Sequence, residues 1–239
     1  MTLFFKIAAA GLMAVAGLAN ASVVEPFTGG QLSTPGWSVG VGADASSFVS
    51  PAPDGTSGIY LTDSTWSVNT AIDFHVGEVL SAWINPGPSA DAVSGSQGGR
   101  ISLGFASDSA STYALTAASD TNQLLFQSVS GIASQTPSFS DGVASTASFG
   151  NQWYKLSISW LASGITGNLY DVDGTTLLRS VNMSAPLTGN TGIALFGNGG
   201  AAVTSLAVTP VPEPESYVLL LAGLGLVASL VKRRKPQPA

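Results

Sequence analysis

Asp171 and Asp173 are the acidic residues best placed to do chemistry, in the segment Asp171-Val172-Asp173-Gly174. Two carboxylates at this spacing lie on one face of an extended strand. A carboxyl pair about 5 Å apart on one face is what retaining hydrolysis of a glycosidic bond requires. The Asp-Gly step is also a strong hairpin signal, because Gly accepts a positive φ. We interpret the two aspartates as turn residues, and a catalytic pair is the alternative.

The four glutamates are too dispersed to supply a catalytic pair. Glu25 lies near the start of the chain, Glu78 stands alone, and Glu213 and Glu215 lie close to the C-terminus. A pair of glutamates alternating along one strand cannot be assembled from them. We therefore predict a protein without catalytic residues, and an enzyme that uses an unusual carboxylate pair is the alternative.

Metal binding is restricted by the same inventory. The chain has no cysteine and a single histidine, His75, so thiolate sites and multi-histidine zinc sites are excluded. Asp171 and Asp173 resemble the start of a calcium loop, but its twelfth position is Asn182 instead of the bidentate glutamate that an EF-hand needs. We predict no cofactor, and a looser calcium site that uses Asp171, Asp173 or Asp91 is the alternative.

His75 has no recognisable catalytic context. Alternation in Asp73-Phe74-His75-Val76 predicts a strand in which His75 faces solvent, opposite Phe74 and Val76. No Gly-x-Ser-x-Gly segment marks a nucleophile. We interpret His75 as a surface residue.

Tryptophans are the second group of interest, because exposed indole rings stack on the faces of sugars. Trp37 follows Gly36 and Trp66 lies between Thr65 and Ser67, so both have polar neighbours. We predict that Trp37 and Trp66 contact a ligand, and burial is the alternative for each. Trp83 and Trp160 lie in apolar segments and are interpreted as core residues.

The charge balance excludes a nucleic-acid partner. Only 9% of the 239 residues are charged, against about 25% in an average domain. Residues 22–210 hold three basic and twelve acidic residues, a formal net charge of −9. A protein that binds phosphates needs a basic surface, and this segment has none.

Short alternating segments predict an all-β domain. In Trp153–Trp160 the residues Tyr154, Leu156, Ile158 and Trp160 share one face, and Lys155, Ser157 and Ser159 share the other. Ile101, Leu103 and Phe105 repeat the alternation. Further strands are predicted at Ile59–Thr62, Val79–Ile84, Tyr113–Thr116, Leu124–Val129, Leu177–Val181, Gly192–Phe196 and Val203–Val208. No blade-like repeat is present, so an antiparallel β-sandwich is favoured over a propeller or barrel.

The N-terminus has the order of a signal peptide. Lys6 precedes an apolar run at 7–18, and Ala19-Asn20-Ala21 supplies the small residues that signal peptidase requires. We predict cleavage after Ala21 and export through the inner membrane. A retained membrane helix or a buried core helix is the alternative, although the run is shorter than the ~20 residues that span a bilayer.

Three segments follow one another at the C-terminus. Residues 210–214 are rich in proline and favour an extended backbone. Residues 216–231 form an uncharged, mostly apolar run of about 24 Å as a helix, which predicts a single membrane span. A basic cluster, expected to stay in the cytoplasm, follows as Lys232, Arg233, Arg234 and Lys235.

Together these segments resemble the PEP-CTERM sorting domain, whose motif here is Val211, Pro212, Glu213 and Pro214. The resemblance covers about the last thirty residues. It implies recognition by an exosortase in the membrane of a Gram-negative bacterium that makes exopolysaccharide, with the tail removed during sorting to the surface. A permanent anchor with a proline-rich stalk is the alternative.

The exported part also resembles a known fold. Gly150-Asn151-Gln152-Trp153-Tyr154, a Leu-Tyr-Asp-Val-Asp-Gly hairpin and Gly192-Ile193-Ala194-Leu195-Phe196 follow in the order found in concanavalin A-like (laminin G-like) jelly rolls. Members of this fold that cut polysaccharides carry two glutamates and an aspartate along one strand, which this chain lacks. The resemblance implies a jelly roll, in some relatives with calcium.

The prediction is thus a signal peptide at 1–21, a β-sandwich at 22–208 and a sorting signal at 209–239. The protein first spans the inner membrane with its N-terminus periplasmic and finally lies at the cell surface or in the extracellular matrix. We predict a non-enzymatic role, with exopolysaccharide as a candidate partner. The alternatives are a glycan-processing enzyme and a purely structural or adhesive envelope protein.

Overall fold

A computed structural model describes residues 22–28, 31–39, 46–47, 52–56, 58–61, 65–87, 99–108, 110–132, 138–184, 189–211 and 223–224. In these ranges the regular elements are almost all strands. They are β1 (Ser22–Glu25), β2 (Trp37–Val39), β3 (Ser46–Ser47), β4 (Ile59–Leu61), β5 (Thr65–Asn69), β6 (Glu78–Asn85), β7 (Arg100–Ser107), β8 (Ser111–Ala118), β9 (Gln123–Ser130), β10 (Ser138–Thr146), β11 (Tyr154–Leu161), β12 (Gly164–Tyr170), β13 (Leu177–Met183), β14 (Gly192–Asn198) and β15 (Ala201–Pro210).

The strands form two sheets. Sheet 1 has the order β13-β12-β11-β6-β15-β4-β3, and β1 also pairs with β15. Sheet 2 has the order β10-β9-β8-β7-β14-β5-β2. The pairings described within each sheet are antiparallel, so the prediction of an antiparallel sandwich is confirmed.

The core lies between the inner faces of the two sheets. In β11 the buried residues Leu156, Ile158 and Trp160 alternate with more polar positions, as the sequence predicts. Phe105 of sheet 2 occupies the centre of this core. Its ring lies 5.9 Å from Trp160 of sheet 1 and 6.0 Å from Phe126 of its own sheet, measured between ring centroids. Edge-to-face aromatic packing therefore joins the two sheets.

The predicted strands are present except for the one at 73–76, and several unpredicted strands join them. The short edge strands β2 and β3 and the Ser- and Gly-rich strand β10 carry too few apolar residues to show an alternation. β10 is held by its register with β9, in which Phe139 lies opposite Val129. A shift between Asp141 and Ala144 interrupts that register, so β10 has no continuous period of two.

Glu25, at the end of β1, forms hydrogen bonds with the loop that follows this strand. Its side chain is fully buried, and its Oε1 accepts hydrogen bonds from Phe27 N at 2.7 Å and Ser33 Oγ at 2.7 Å. Its Oε2 accepts from Thr34 N at 2.9 Å and from Trp37 Nε1 at 2.8 Å. Burial alone would raise the pKa of Glu25, but the hydrogen bonds from Ser33, Thr34 and Phe27 outweigh it and lower the pKa.

The chain divides into two compact units, and the sandwich is the unit Ala21–Thr209. Because this unit has its own core, it is expected to fold by itself. The predicted signal peptide lies outside the described residues. Of the predicted membrane helix at 216–231 only 223–224 are described, and both are helical. Within the described parts of the chain, no helix has the length and apolar character that a membrane span needs.

We predict that Glu25→Gln destabilises the sandwich by about 2 to 3 kcal/mol at pH 7, because an amide replaces a buried carboxylate that accepts several hydrogen bonds. Chemical unfolding of residues 21–209 measures this loss. The lowered pKa means that the stabilisation is present above the unfolded-state pKa of about 4.3 and disappears as the pH falls through the lower folded-state pKa.

The difference between wild type and Glu25→Gln should therefore shrink in unfolding experiments at pH 3. Glu78→Gln is the matched control, since this half-buried carboxylate accepts one hydrogen bond, from His75 N at 2.7 Å. An equal loss of stability in both variants would refute the special role of Glu25.

Candidate functional site

The segment between β12 and β13 is a tight turn, as predicted. Asp171 N donates to Thr176 O at 2.9 Å and Gly174 N donates to Asp171 O at 2.8 Å. Gly174 has φ +69°, the left-handed conformation that glycine tolerates best. The hairpin thus depends on Gly174, as the Asp-Gly signal indicates.

The two aspartates use most of their oxygens inside this turn. Asp173 Oδ1 accepts from Thr175 N and Thr176 N, both at 2.8 Å, and its Oδ2 accepts from Thr176 Oγ1. Asp171 Oδ1 accepts from Val172 N at 2.8 Å. The hydrogen bonds from Thr176 and Thr175 lower the pKa of Asp173 to about 2.

Asp173 is therefore a carboxylate at neutral pH and has no proton to donate to a leaving group. Three of the roughly four lone-pair sites of Asp173 accept hydrogen bonds within the turn, which leaves little capacity for a calcium ion. Among the described residues no three His, Cys, Asp or Glu side chains come together as a metal site. Asp91 lies outside those residues, and the looser calcium site stays an untested alternative.

His75 is exposed, but not for the predicted reason. Residues 73–75 are not in a strand, and Val76, which alternation places opposite His75, is 55% exposed. Phe74 alone turns inward, where its ring lies 5.6 Å from Trp160. The strand interpretation of this segment is wrong. Phe74 is the single buried residue of 73–76, and together with polar neighbours it resembles the alternation of a short strand.

Trp37 and Trp66 lie in neighbouring strands, β2 and β5. Trp37 is half-buried, and its indole nitrogen is bound to Glu25. Trp66 is 7% exposed and lies opposite Phe196 of β14 on the outer face of sheet 2. The structure therefore leaves more of the Trp37 ring than of the Trp66 ring in contact with solvent.

The outer face of sheet 2 is concave. The strands β10 and β14 are separated by three others, which would place them about 19 Å apart in a flat sheet. Yet the rings of Phe139 and Phe196 are 5.6 Å apart. Ser102, Thr116 and Gln127 follow on this face as a buried chain of hydrogen bonds, each 2.8 Å long. Most of this concave surface is therefore closed to solvent.

The outer face of sheet 1 is open and has a different pattern. Cross-strand registers place Trp83, Lys155, Tyr170 and Leu177 side by side on β6, β11, β12 and β13. We call these four residues the aromatic row. Trp83, Lys155 and Tyr170 are partly exposed, and Leu177 is exposed. Two further rows of mostly small polar residues continue this face: Ser81, Ser157, Asn168 and Ser180, then Val79, Ser159, Thr166 and Asn182.

Trp83 is held at one end of the row. The ring packs against a small cluster of Trp153, Ala202 and Ala52, which Tyr60 also contacts. A Cβ atom on Gly174 would lie 2.9 Å from Cη2 of Trp83, so the hairpin turn approaches the edge of the indole. These contacts hold the ring while part of it stays exposed.

The interpretation of Trp83 as a core residue is wrong. In β6 the buried positions are Leu80, Ala82 and Ile84, so period two sends Trp83 to the outer face. The alternation of β6 contains that signal, but the apolar neighbours of Trp83 led to the interpretation as a core residue. Trp160, 5% exposed, is a core residue as predicted.

Lys155 differs from the other basic residues of the described chain. Arg100 Nη2 pairs with Asp120 Oδ2 at 2.8 Å. Arg179 donates to the carbonyl oxygens of Thr146 at 2.7 Å and Leu178 at 2.6 Å. In the part of the chain that the structure describes, Lys155 forms no ion pair.

The sandwich has a jelly-roll fold, and solved structures share it. It is similar to the exoplasmic/lumenal domain of VIP36 in its Ca²⁺/Man3GlcNAc-bound form, with a TM-score of 0.52 and 13% identity over 83% of this chain and 94% of that one. It is also similar to the carbohydrate-binding module CBM66 from Bacillus subtilis, with a TM-score of 0.47 and 14% identity over 73% and 95% of the two chains.

The C-terminal residues provide the second comparison. Residues 210–235 match the PEP-CTERM protein-sorting motif, so the predicted sorting signal is confirmed. Val211 follows β15 directly, whereas Pro212, Glu213, Pro214 and the basic cluster Lys232, Arg233, Arg234 and Lys235 lie outside the described residues. No curated protein matches the chain in sequence.

We predict that Gly174→Ala alters the environment of Trp83. The new Cβ would meet the indole at 2.9 Å, in addition to the strain of a positive φ. Near-ultraviolet circular dichroism and tryptophan fluorescence should change, with a loss of about 1 kcal/mol in stability.

Gly77→Ala is the matched control, because Gly77 has φ +92° and a Cβ added there would have no atom within 4 Å. It shares the backbone strain without touching an indole. Identical spectra for both variants would show that the turn does not hold Trp83.

Proposed function

We propose that this protein is exported, sorted to the cell surface through its PEP-CTERM motif, and binds carbohydrate there without modifying it. The observation that carries the binding role is the partly exposed Trp83 ring, held by contacts with the 171–176 turn and the Trp153 cluster. A rigid indole on an open sheet face can stack on the apolar face of a sugar and loses little conformational entropy on binding.

The neighbours of Trp83 support the same role. Sugars present both apolar ring faces and hydroxyl groups, and this face of sheet 1 offers both partners. Ser81 and Asn168 lie in the row next to Trp83 and Tyr170, and both are partly exposed. Serine hydroxyls and asparagine amides donate and accept hydrogen bonds, as sugar hydroxyls do.

The fold supports carbohydrate as the ligand class. The VIP36 domain with which this chain shares its fold is bound to Man3GlcNAc. Asp171 and Asp173 lie in the turn next to Trp83, but both carboxylate oxygens of Asp173 accept hydrogen bonds within that turn, which is a structural role. Binding without catalysis therefore agrees best with the chemistry of this face.

We predict that the full chain, purified in mild detergent, migrates more slowly in native gels that contain the host's exopolysaccharide. Trp83→Ala should abolish this retardation, because the stacking ring is removed. Trp37→Ala and Trp66→Ala test the sequence-based prediction that these two residues contact the ligand.

Phe139→Ala is the control for loss of an exposed aromatic side chain, since Phe139 is 43% exposed on sheet 2. Retardation that depends on Trp37 or Trp66 but not on Trp83 would move the site to sheet 2. Unchanged mobility of the wild type in host exopolysaccharide and in a panel of neutral polysaccharides would leave only a structural or adhesive role. Release of reducing ends from any polysaccharide would favour the enzyme.

Sorting has its own test. We predict that the surface form begins at Ser22 and lacks Lys232, Arg233, Arg234 and Lys235, because signal peptidase and an exosortase remove the two ends. Intact-mass spectrometry of the surface fraction measures both ends.

Replacing Pro212, Glu213 and Pro214 by alanine should retain the basic cluster and keep the protein in the inner membrane. Pro236→Ala, beyond the basic cluster, is the control and should be processed normally. A surface form that still carries Lys232 to Lys235 would identify the tail as a permanent anchor.

A further inference from the structure

The aromatic row has a direction that restricts its ligand. Its residues lie on adjacent strands, so the row runs across the strands of sheet 1. Trp83 on β6 and Tyr170 on β12 are separated by one strand, β11. Two strand spacings place their backbones about 10 Å apart. A disaccharide unit of an extended polysaccharide has a length similar to this backbone separation, so rings on the two strands can meet alternate sugars.

We propose that the aromatic row binds an unbranched, neutral polysaccharide in an extended conformation, with the sugar chain lying across the strands. Alternate sugars stack on Trp83 and Tyr170, and the sugar between them receives a hydrogen bond from Lys155. This inference rests on the proposed carbohydrate-binding function and specifies its ligand.

Lys155 has the position that this arrangement requires. It lies directly opposite Trp83 on one side and Tyr170 on the other. Its stem lies against the turn, since a Cβ atom on Gly174 would be 3.6 Å from Lys155 Cδ. Without an ion pair among the described residues, its ammonium group has donors available for a hydroxyl or ring oxygen.

Charge favours a neutral ligand over an acidic one. Residues 22–210 carry a formal net charge of −9, and one lysine in the row does not offset it. Asp171 and Asp173 lie in the turn that contacts Trp83 and add negative charge close to the row. A polymer of acidic sugars would be repelled, most strongly at low ionic strength.

The row also sets a minimum length. A disaccharide reaches Trp83 or Tyr170 but not both, whereas three sugars in a row reach both rings. Because it adds a second stacking contact, the second ring should tighten binding about two- to tenfold. Affinity should therefore rise steeply between two and three sugars and level off beyond that length.

Calorimetry of the full chain in detergent tests this length dependence with ladders of cellooligosaccharides, mannooligosaccharides and chitooligosaccharides from two to six sugars. We expect at least one ladder to show the step at three sugars. Tyr170→Ala should remove the step, Tyr170→Phe should keep it, and Trp83→Ala should weaken every length. Lys155→Met should lower the affinity of the trisaccharide about two- to tenfold while the step remains.

Charge is tested with two polymers of one backbone, hydroxyethyl cellulose and carboxymethyl cellulose, together with neutral and carboxylated forms of the host exopolysaccharide. We expect retardation by the neutral form of a pair and less by its acidic form. Binding that lacks the step, or that survives Trp83→Ala and Tyr170→Ala together, overturns this inference but leaves carbohydrate binding intact. Absence of binding to every polymer and ladder overturns the proposed function itself. Phe139→Ala should match the wild type throughout.

Discussion

Packing around Phe105 holds the two sheets together, and the other features of the domain depend on it. The ring contacts Trp160 of sheet 1 and Phe74, which reaches inward from a loop. The chain has no cysteine, so no disulfide shares this task. With few charged residues, the sandwich relies on apolar burial between its sheets for stability. The outer faces are thereby free to carry other side chains.

The outer faces of the two sheets differ in how much of their surface is exposed to solvent. Sheet 2 is curved, so that Phe139 packs against Phe196. Its polar residues Ser102, Thr116 and Gln127 form hydrogen bonds with one another. Such a face contributes packing and leaves few groups for a partner. Sheet 1 keeps an open row of side chains on its outer face, with Trp83 fixed but partly exposed. The proposed carbohydrate site therefore lies on the face of sheet 1.

The fold could be predicted from the sequence where local alternation decides the structure. The strand around Leu156 and Ile158 could be assigned with its two faces, because burial on one side leaves a period of two. The same rule places Trp83 on the outer face, although the apolar residues around it resemble those of a fully buried strand. The sequence does not show that Glu25 is buried and accepts several hydrogen bonds. Its donors lie in a loop that comes close to Glu25 only in the folded chain. The aromatic row depends on registers between four strands, which no single segment encodes.

β15 continues directly into the sorting motif, and this has a mechanical consequence. The strand lies inside sheet 1, between β6 and β4, and it also pairs with β1, where Ser22 lies opposite Val208. A pull on Val211 would therefore act along a strand with neighbours on both sides, so many hydrogen bonds would bear the load together. Resistance to such a force depends on the rate of unfolding and not on equilibrium stability. A domain pulled through this strand would therefore resist force through many hydrogen bonds loaded together along the strand direction.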